Sequence, residues 1–63
     1  MINSVMKSEE GMVLVFDERG NQIPEYQGKY EEVKQRILRD AMPGTMFWHV
    51  ENRRNRQVTR EVW

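Results

Sequence analysis

The sequence contains no cysteine and only one histidine, His49. The lack of thiols excludes disulfide bonds and thiolate metal sites, and it favours a reducing compartment. No apolar run approaches the ~20 residues that a bilayer crossing requires, so we expect no membrane partner. The first residues also lack the charged start and apolar stretch of a signal peptide. We therefore predict a cytoplasmic protein.

Groups of residues that could perform catalysis are also absent from the sequence. A hydrolytic triad needs a base held between a nucleophile and an acid, and the two serines, Ser4 and Ser8, lie far along the chain from His49. No glycine-rich phosphate-binding motif is present. The acidic pairs, Glu9-Glu10, Asp17-Glu18 and Glu31-Glu32, lack the alternating ligand spacing of a calcium loop. We predict that the protein is not an enzyme and has no catalytic residue, cofactor, metal or small-molecule substrate.

The chain has 63 residues, of which 38% are hydrophobic and 32% charged. This balance is typical of one small globular domain rather than a disordered chain. A core of this size supplies only about 3–5 kcal/mol of net stability. Because disulfide bonds are excluded, regular packing, self-association or a bound partner must stabilise the fold.

The most apolar stretch of the chain, Met12–Phe16, predicts a strand that needs cover on both faces. Turn-forming residues follow it, and a short return arm over residues 22–24 is limited by Pro24 to an edge or to one ladder step. Residues 1–11 show no sustained period, and we predict that they form a flexible N-terminal arm. The folded domain is then expected to cover residues 12–63.

A helical period begins near Lys29, where Tyr30, Val33 and Ile37 recur on one face. Pro43-Gly44 ends this pattern, so we predict a helix over residues 29–42. Residues 45–50 and 56–63 predict two further strands, joined by a polar turn. A three-residue loop over 53–55 would place Val50 opposite Val58, and Trp48 opposite Arg60, with the guanidinium stacked on the indole. The predicted fold is α+β: a small β-α-β-β domain whose three-stranded sheet carries one helix on one face.

One helix can cover only one face of this sheet, so an apolar face is left for a partner. The uncovered side of the first strand is either the set Met12, Leu14 and Phe16 or the pair Val13 and Val15. A second copy of the chain is the simplest partner, and we predict a homodimer formed through this face or through a sheet edge. Folding back of residues 1–11 over the face is the alternative. The candidate self-association residues are Val13, Val15 and Phe47.

Charge is unevenly distributed along this neutral chain. Residues 1–32 carry seven carboxylates and three basic side chains, whereas residues 33–63 carry seven basic side chains and three carboxylates. This asymmetry is typical of complementary surfaces within one fold. Arginines close to aromatic residues are also typical of domains that bind single-stranded nucleic acid, so binding of nucleic acid is the alternative function. The candidate contacts are Arg53, Arg54, Arg56 and Arg60.

Overall fold

The computed structural model describes all residues from 1 to 63 and shows a five-stranded mixed sheet with one α-helix packed against it. The predicted α+β class is confirmed. In chain order the elements are β1 (Ile2–Ser8), β2 (Met12–Asp17), a 3-10 turn (Pro24–Tyr26), β3 (Gly28–Lys29), α1 (Tyr30–Asp40), β4 (Met46–Glu51) and β5 (Arg54–Val58). The strands are arranged in the order β3-β2-β1-β4-β5.

The N-terminal segment is the central strand of this sheet, so the prediction of a flexible arm over residues 1–11 is wrong. β1 pairs antiparallel with β2 and parallel with β4. A β-bulge between Ile2 and Ser4 shifts the register. The extra residue allows Ile2 and Val5 to lie on the same buried face although they are three residues apart. The bulge also breaks the two-residue alternation by which a strand is recognised in a sequence.

The strand predicted from Met12–Phe16 is present as β2, and its exit is a turn stabilised by Asp17. Oδ1 of Asp17 accepts backbone hydrogen bonds of 2.9 Å from Arg19 and from Asn21. The bond from Asn21 is the main reason why the pKa of Asp17 lies below its usual value. The short return arm makes one bridge, between Phe16 and Gln22, before the 3-10 turn begins at Pro24.

Helix α1 occupies Tyr30–Asp40, close to the predicted range, and presents Val33 and Ile37 to the sheet. The backbone N–H of Tyr30 donates to the carbonyl oxygen of Gly11 at 2.8 Å, which attaches the helix start to the β1–β2 turn. The core lies between helix and sheet. Its nine buried residues are Ile2, Val5, Val13, Val15, Val33, Ile37, Ala41, Phe47 and Trp63. No helix has the length and apolar character that crossing a membrane requires.

The β4–β5 hairpin differs in register from the prediction. Its turn contains two residues, Asn52 and Arg53, with φ angles of 50° and 63°, so the predicted three-residue loop over 53–55 is wrong. Consequently Val58 pairs with Phe47 and not with Val50.

The C-terminal segment leaves the sheet after Val58, so β5 is shorter than the predicted strand over 56–63. The backbone N–H of Trp63 donates to the carbonyl oxygen of Thr59 at 2.9 Å. Trp63 is thereby folded back between helix and sheet, where its ring centroid lies 5.0 Å from that of Tyr30 and 5.2 Å from that of Phe47. The tail therefore completes the core beside the single helix.

Candidate functional site

The three residues predicted to mediate self-association lie in the core. Val13, Val15 and Phe47 are at most 2% exposed and pack beneath α1. The structure therefore selects the other set for the uncovered side of β2, where Met12 is 48% and Leu14 38% exposed. The prediction that Phe47 lies on the uncovered side is wrong, because the predicted hairpin register grouped Val58 with Trp48, whereas Val58 pairs with the buried Phe47.

The sheet side that faces away from α1 is apolar, and we call it the open face. The strand register brings its side chains together in rows: Leu14 beside Met6, and Met6 beside Trp48. All of these apolar side chains are half-buried or exposed. The apolar residues of the open face are Met6, Met12, Leu14, Phe16, Met46, Trp48 and Val50.

No charged side chain interrupts the open face across its four longer strands. Its polar positions are taken by uncharged residues, because Ser4 and Ser8 lie on β1, and Asn55 and Gln57 lie on β5. Lys29, on β3 beside Met12, is the charged residue nearest to the apolar rows in register. In a chain with 32% charged residues, this distribution separates one apolar surface from an otherwise charged exterior.

The sequence prediction misses Met6, Ser4 and Ser8 as members of this surface, because it assigns residues 1–11 to a flexible arm. The alternation of Ser4, Met6 and Ser8 with Val5 and Lys7 was the signal available in the sequence. The bulge at the start of β1 obscured that signal.

A second surface, which we call the basic edge, contains Arg53, Arg54 and Arg56 at the tip and along the outer strand of the β4–β5 hairpin. All three side chains are exposed. Nε of Arg56 lies 3.3 Å from Oε1 of Glu51, whereas Arg54 makes no ion pair. Glu9 also reaches this hairpin, because its Oε1 accepts a 3.1 Å hydrogen bond from the backbone N–H of Asn52. The acidic and basic halves of the chain therefore meet at this end of the sheet.

Arg60, the fourth predicted nucleic-acid contact, lies apart from the basic edge. Its guanidinium donates to the carbonyl oxygens at the end of α1, at 3.3 Å to Leu38 and 3.0 Å to Ala41. It lies over the ring of Phe47, 5.4 Å from the centroid, and not over Trp48 as predicted. Because these carbonyls have no partner within the helix, Arg60 stabilises the helix end.

The aromatic residues are also separated from the arginines. Phe47 and Trp63 are buried, and Trp48 lies on the open face. In the β4–β5 ladder Arg54 lies opposite Glu51, and Arg56 lies opposite His49. By the alternation of strand side chains, both arginines therefore project to the helix side of the sheet and not to the open face. The predicted combination of arginines and stacking rings is therefore not assembled on one surface.

The titratable residues form small, separate groups. Nδ1 of His49 lies 3.4 Å from a guanidinium nitrogen of Arg56, and its Nε2 is buried without a hydrogen-bond partner. At the other end of the molecule, the hydroxyl of Tyr26 donates to Oδ2 of Asp40 at 2.6 Å. No group of three or more histidine, aspartate or glutamate residues is arranged to hold a metal ion.

Comparisons with protein-family models, with curated proteins and with solved structures find no match for this chain. The open face and the basic edge are therefore the features of this chain that bear on its function.

Proposed function

We propose that the protein is a non-enzymatic interaction module that forms a homodimer through its open face. The supporting observation is the continuous row of apolar side chains that crosses β2, β1 and β4 without a charged residue. Interface centres are depleted of charge and enriched in aromatic residues and methionine. Met6, Met12 and Met46 supply three flexible thioethers that adapt to an irregular partner surface.

The lack of charge on this face favours a second copy as the partner. A two-fold axis brings the same patch of both subunits together, so any charge near the axis would meet a like charge. The edges of the sheet are less suitable for self-pairing. β3 has only two residues, and two β5 strands would bring Arg54 and Arg56 of one copy close to the same residues of the other.

The area that a dimer must bury sets a condition on the proposal. Specific interfaces bury at least about 1,200 Å² in total, or about 600 Å² on each partner, and the longest extent of this molecule is only 28 Å. The whole face, from Met12 to Val50, must therefore take part. Burial of this surface would also add stability that a small, disulfide-free core lacks.

Sedimentation equilibrium over a range of protein concentrations tests the proposal. The wild type is expected to dimerise with increasing concentration, whereas Leu14→Lys, which places a charge on the open face, is expected to remain monomeric. Met42→Lys is the matched control, because Met42 is 52% exposed but lies beyond the end of α1. A wild type that is monomeric at every concentration contradicts the proposal, as does equal dimerisation of the two lysine variants.

Binding of single-stranded nucleic acid through Arg53, Arg54 and Arg56 is the alternative function. Its supporting observation is the exposure of three arginines within four residues. The separation of these arginines from the aromatic residues makes it the second choice, because single-strand binding commonly relies on base stacking. Titration of labelled single-stranded DNA and RNA at low and high salt tests it, since phosphate contacts weaken as salt increases. The absence of binding at low salt excludes this alternative.

A cytoplasmic location fits both proposals, because a chain without cysteine does not require an oxidising compartment.

A further inference from the structure

β5, the outer strand of the basic edge, has one hydrogen-bonding edge without a neighbouring strand. β5 is the last strand in the sheet order and pairs only with β4. A two-residue hairpin closes on a hydrogen-bonded pair, here Glu51 and Arg54, and antiparallel pairs then alternate along the ladder. By this alternation the backbone N–H and C=O groups of Asn55 and Gln57 point away from β4. They are available to pair with another strand.

The side chains along this free edge set a charge pattern. Arg54 and Arg56 are two residues apart, so they project to the same side of the strand, and both are exposed. A strand laid beside β5 would place alternate residues next to these two guanidinium groups. Opposite charges at such cross-strand positions are favourable, and like charges are unfavourable.

Beyond the two arginines, the same edge presents an apolar position. A shallow groove of about 450 Å³ is lined by Arg56, Gln57, Val58, Thr59 and Val62. Val62 is 61% exposed, and Val58 is half-buried. The edge therefore presents, in spatial order, an apolar position and two exposed guanidinium groups, of which that of Arg56 also contacts Glu51.

We propose that β5 docks an extended acidic segment of another protein, which adds to the sheet as an antiparallel strand. Its sequence pattern is an apolar residue beside Val58, followed by acidic residues at the second and fourth positions beyond it, beside Arg56 and Arg54. Main-chain hydrogen bonds supply affinity in this mode of recognition, and alternate side chains supply specificity. The proposal concerns β5 and is independent of dimerisation through the open face.

The partner must be a different chain. No two acidic residues of this sequence are separated by a single residue, so the chain does not contain the complementary pattern. A second β5 strand is disfavoured by its own arginines. A nucleic acid would find phosphate-binding groups here but no aromatic surface for its bases, and it could not use the backbone groups of Asn55 and Gln57 in a regular ladder.

The test is a fluorescence anisotropy titration of wild-type protein with the labelled peptide Thr-Val-Thr-Glu-Thr-Glu-Thr. The control peptide Thr-Val-Thr-Thr-Glu-Glu-Thr has the same composition but places its two carboxylates on opposite sides of a strand. Saturable binding of the first peptide, at least about fivefold tighter than that of the control, is expected, because each exposed charge pair contributes a few-fold in affinity. Equal binding of the two peptides, or none, overturns the proposal.

Three variants separate strand addition from simple charge attraction. Arg54→Glu is expected to weaken binding about tenfold by replacing attraction with repulsion, whereas Arg19→Glu, in the turn after β2, should leave it unchanged. Gln57→Pro removes an outward N–H while the β4 ladder is retained, and it should abolish binding. Circular dichroism verifies that each variant is folded. If the proline variant unfolds, wild-type protein is titrated instead with a peptide that is N-methylated at the residue opposite Gln57, and this peptide should not bind. Binding that survives loss of the backbone donor, in either assay, contradicts strand addition. Tighter binding of labelled single-stranded DNA than of the peptide would assign the edge to nucleic acid instead.

Discussion

The hydroxyl of Tyr26 donates a 2.6 Å hydrogen bond to Oδ2 of Asp40 and so joins the 3-10 turn to the last residue of α1. Asp40 also accepts from its neighbour Arg39, at 2.7 Å from Nε to Oδ1. The bond from Arg39 is the larger cause and that from Tyr26 the next, and together they lower the pKa of Asp40 to about 2. This carboxylate anchors the linker that leads from β2 to the helix.

The pKa of Asp40 predicts a loss of stability in acid. An unfolded aspartate titrates near pH ~3.9, so the stabilisation from ionised Asp40 is fully present above that value and is lost as the pH falls towards 2. Asp40→Asn is expected to lower the free energy of unfolding at neutral pH. The difference between wild type and variant should shrink between about pH 4 and pH 2. Urea unfolding at several pH values measures it.

Glu61→Gln is the control for this experiment, because Glu61 is exposed and makes no side-chain hydrogen bond or ion pair. It should unfold like the wild type throughout. A difference between wild type and Asp40→Asn that does not change with pH would contradict the assigned role of the charge.

Trp63 is expected to be indispensable for folding. It is 1% exposed and is the largest fully buried side chain, and its carbonyl oxygen accepts a 2.8 Å hydrogen bond from the hydroxyl of Tyr30. Trp63→Ala should cost about 3–5 kcal/mol, which equals the net stability that a core of this size supplies. The variant should therefore be largely unfolded at 25 °C, as measured by far-ultraviolet circular dichroism and urea titration.

Val62→Ala and Trp63→Phe are the control substitutions for this prediction. Val62→Ala should change stability by less than about 0.5 kcal/mol, because Val62 is exposed. Trp63→Phe should lie between the two, since it keeps an aromatic ring and removes the indole N–H, which is buried without a hydrogen-bond partner. Equal stability of Trp63→Ala and Val62→Ala would show that the tail does not belong to the core.

Local patterns in the sequence were sufficient to predict β2, the return arm and α1. Each is encoded by neighbouring residues: an apolar run, a turn rich in glycine and asparagine, and a helical repeat. β1 could not be recognised in this way, because its bulge places Ile2 and Val5 on one face against the normal alternation. Its position between β2 and β4 depends on contacts that are distant in the sequence.

The wrong register of the β4–β5 hairpin led to a wrong assignment of residues to the two faces of the sheet. A two-residue turn at Asn52-Arg53, instead of a three-residue loop, places Val58 beside Phe47 and not beside Val50. The correct pairing therefore groups Val58 with Phe47 on the buried side of β4, whereas the predicted pairing grouped it with Trp48 and Val50. The sequence correctly implied that one sheet face would lack cover, because only one helical repeat is present. The assignment of residues to that face relied on the pairing of β4 with β5, which the type of turn sets. This turn is hard to recognise in the sequence because Arg53 is an uncommon residue for it.

The two-residue turn of the β4–β5 hairpin contains one residue with a strained backbone. Asn52 and Arg53 both have positive φ, at 50° and 63°, as in the type I′ turn that favours Asn-Gly. Asparagine tolerates this conformation, whereas arginine is strained by its Cβ at a cost of about 1–2 kcal/mol. Glycine removes the strain but loses more entropy on folding, so Arg53→Gly should stabilise the protein by about 0.5–1 kcal/mol.

Thermal unfolding measures this gain as an increase in Tm of several degrees, since ~1 kcal/mol corresponds to about 4–8 °C for a domain of this size. Asn55→Gly is the matched control, because Asn55 lies in β5 without a positive φ, and there glycine should lower the Tm. A lower Tm for Arg53→Gly would contradict the strained turn. Because Arg53 lies outside the pair Arg54 and Arg56, this substitution should also leave binding of the acidic peptide intact.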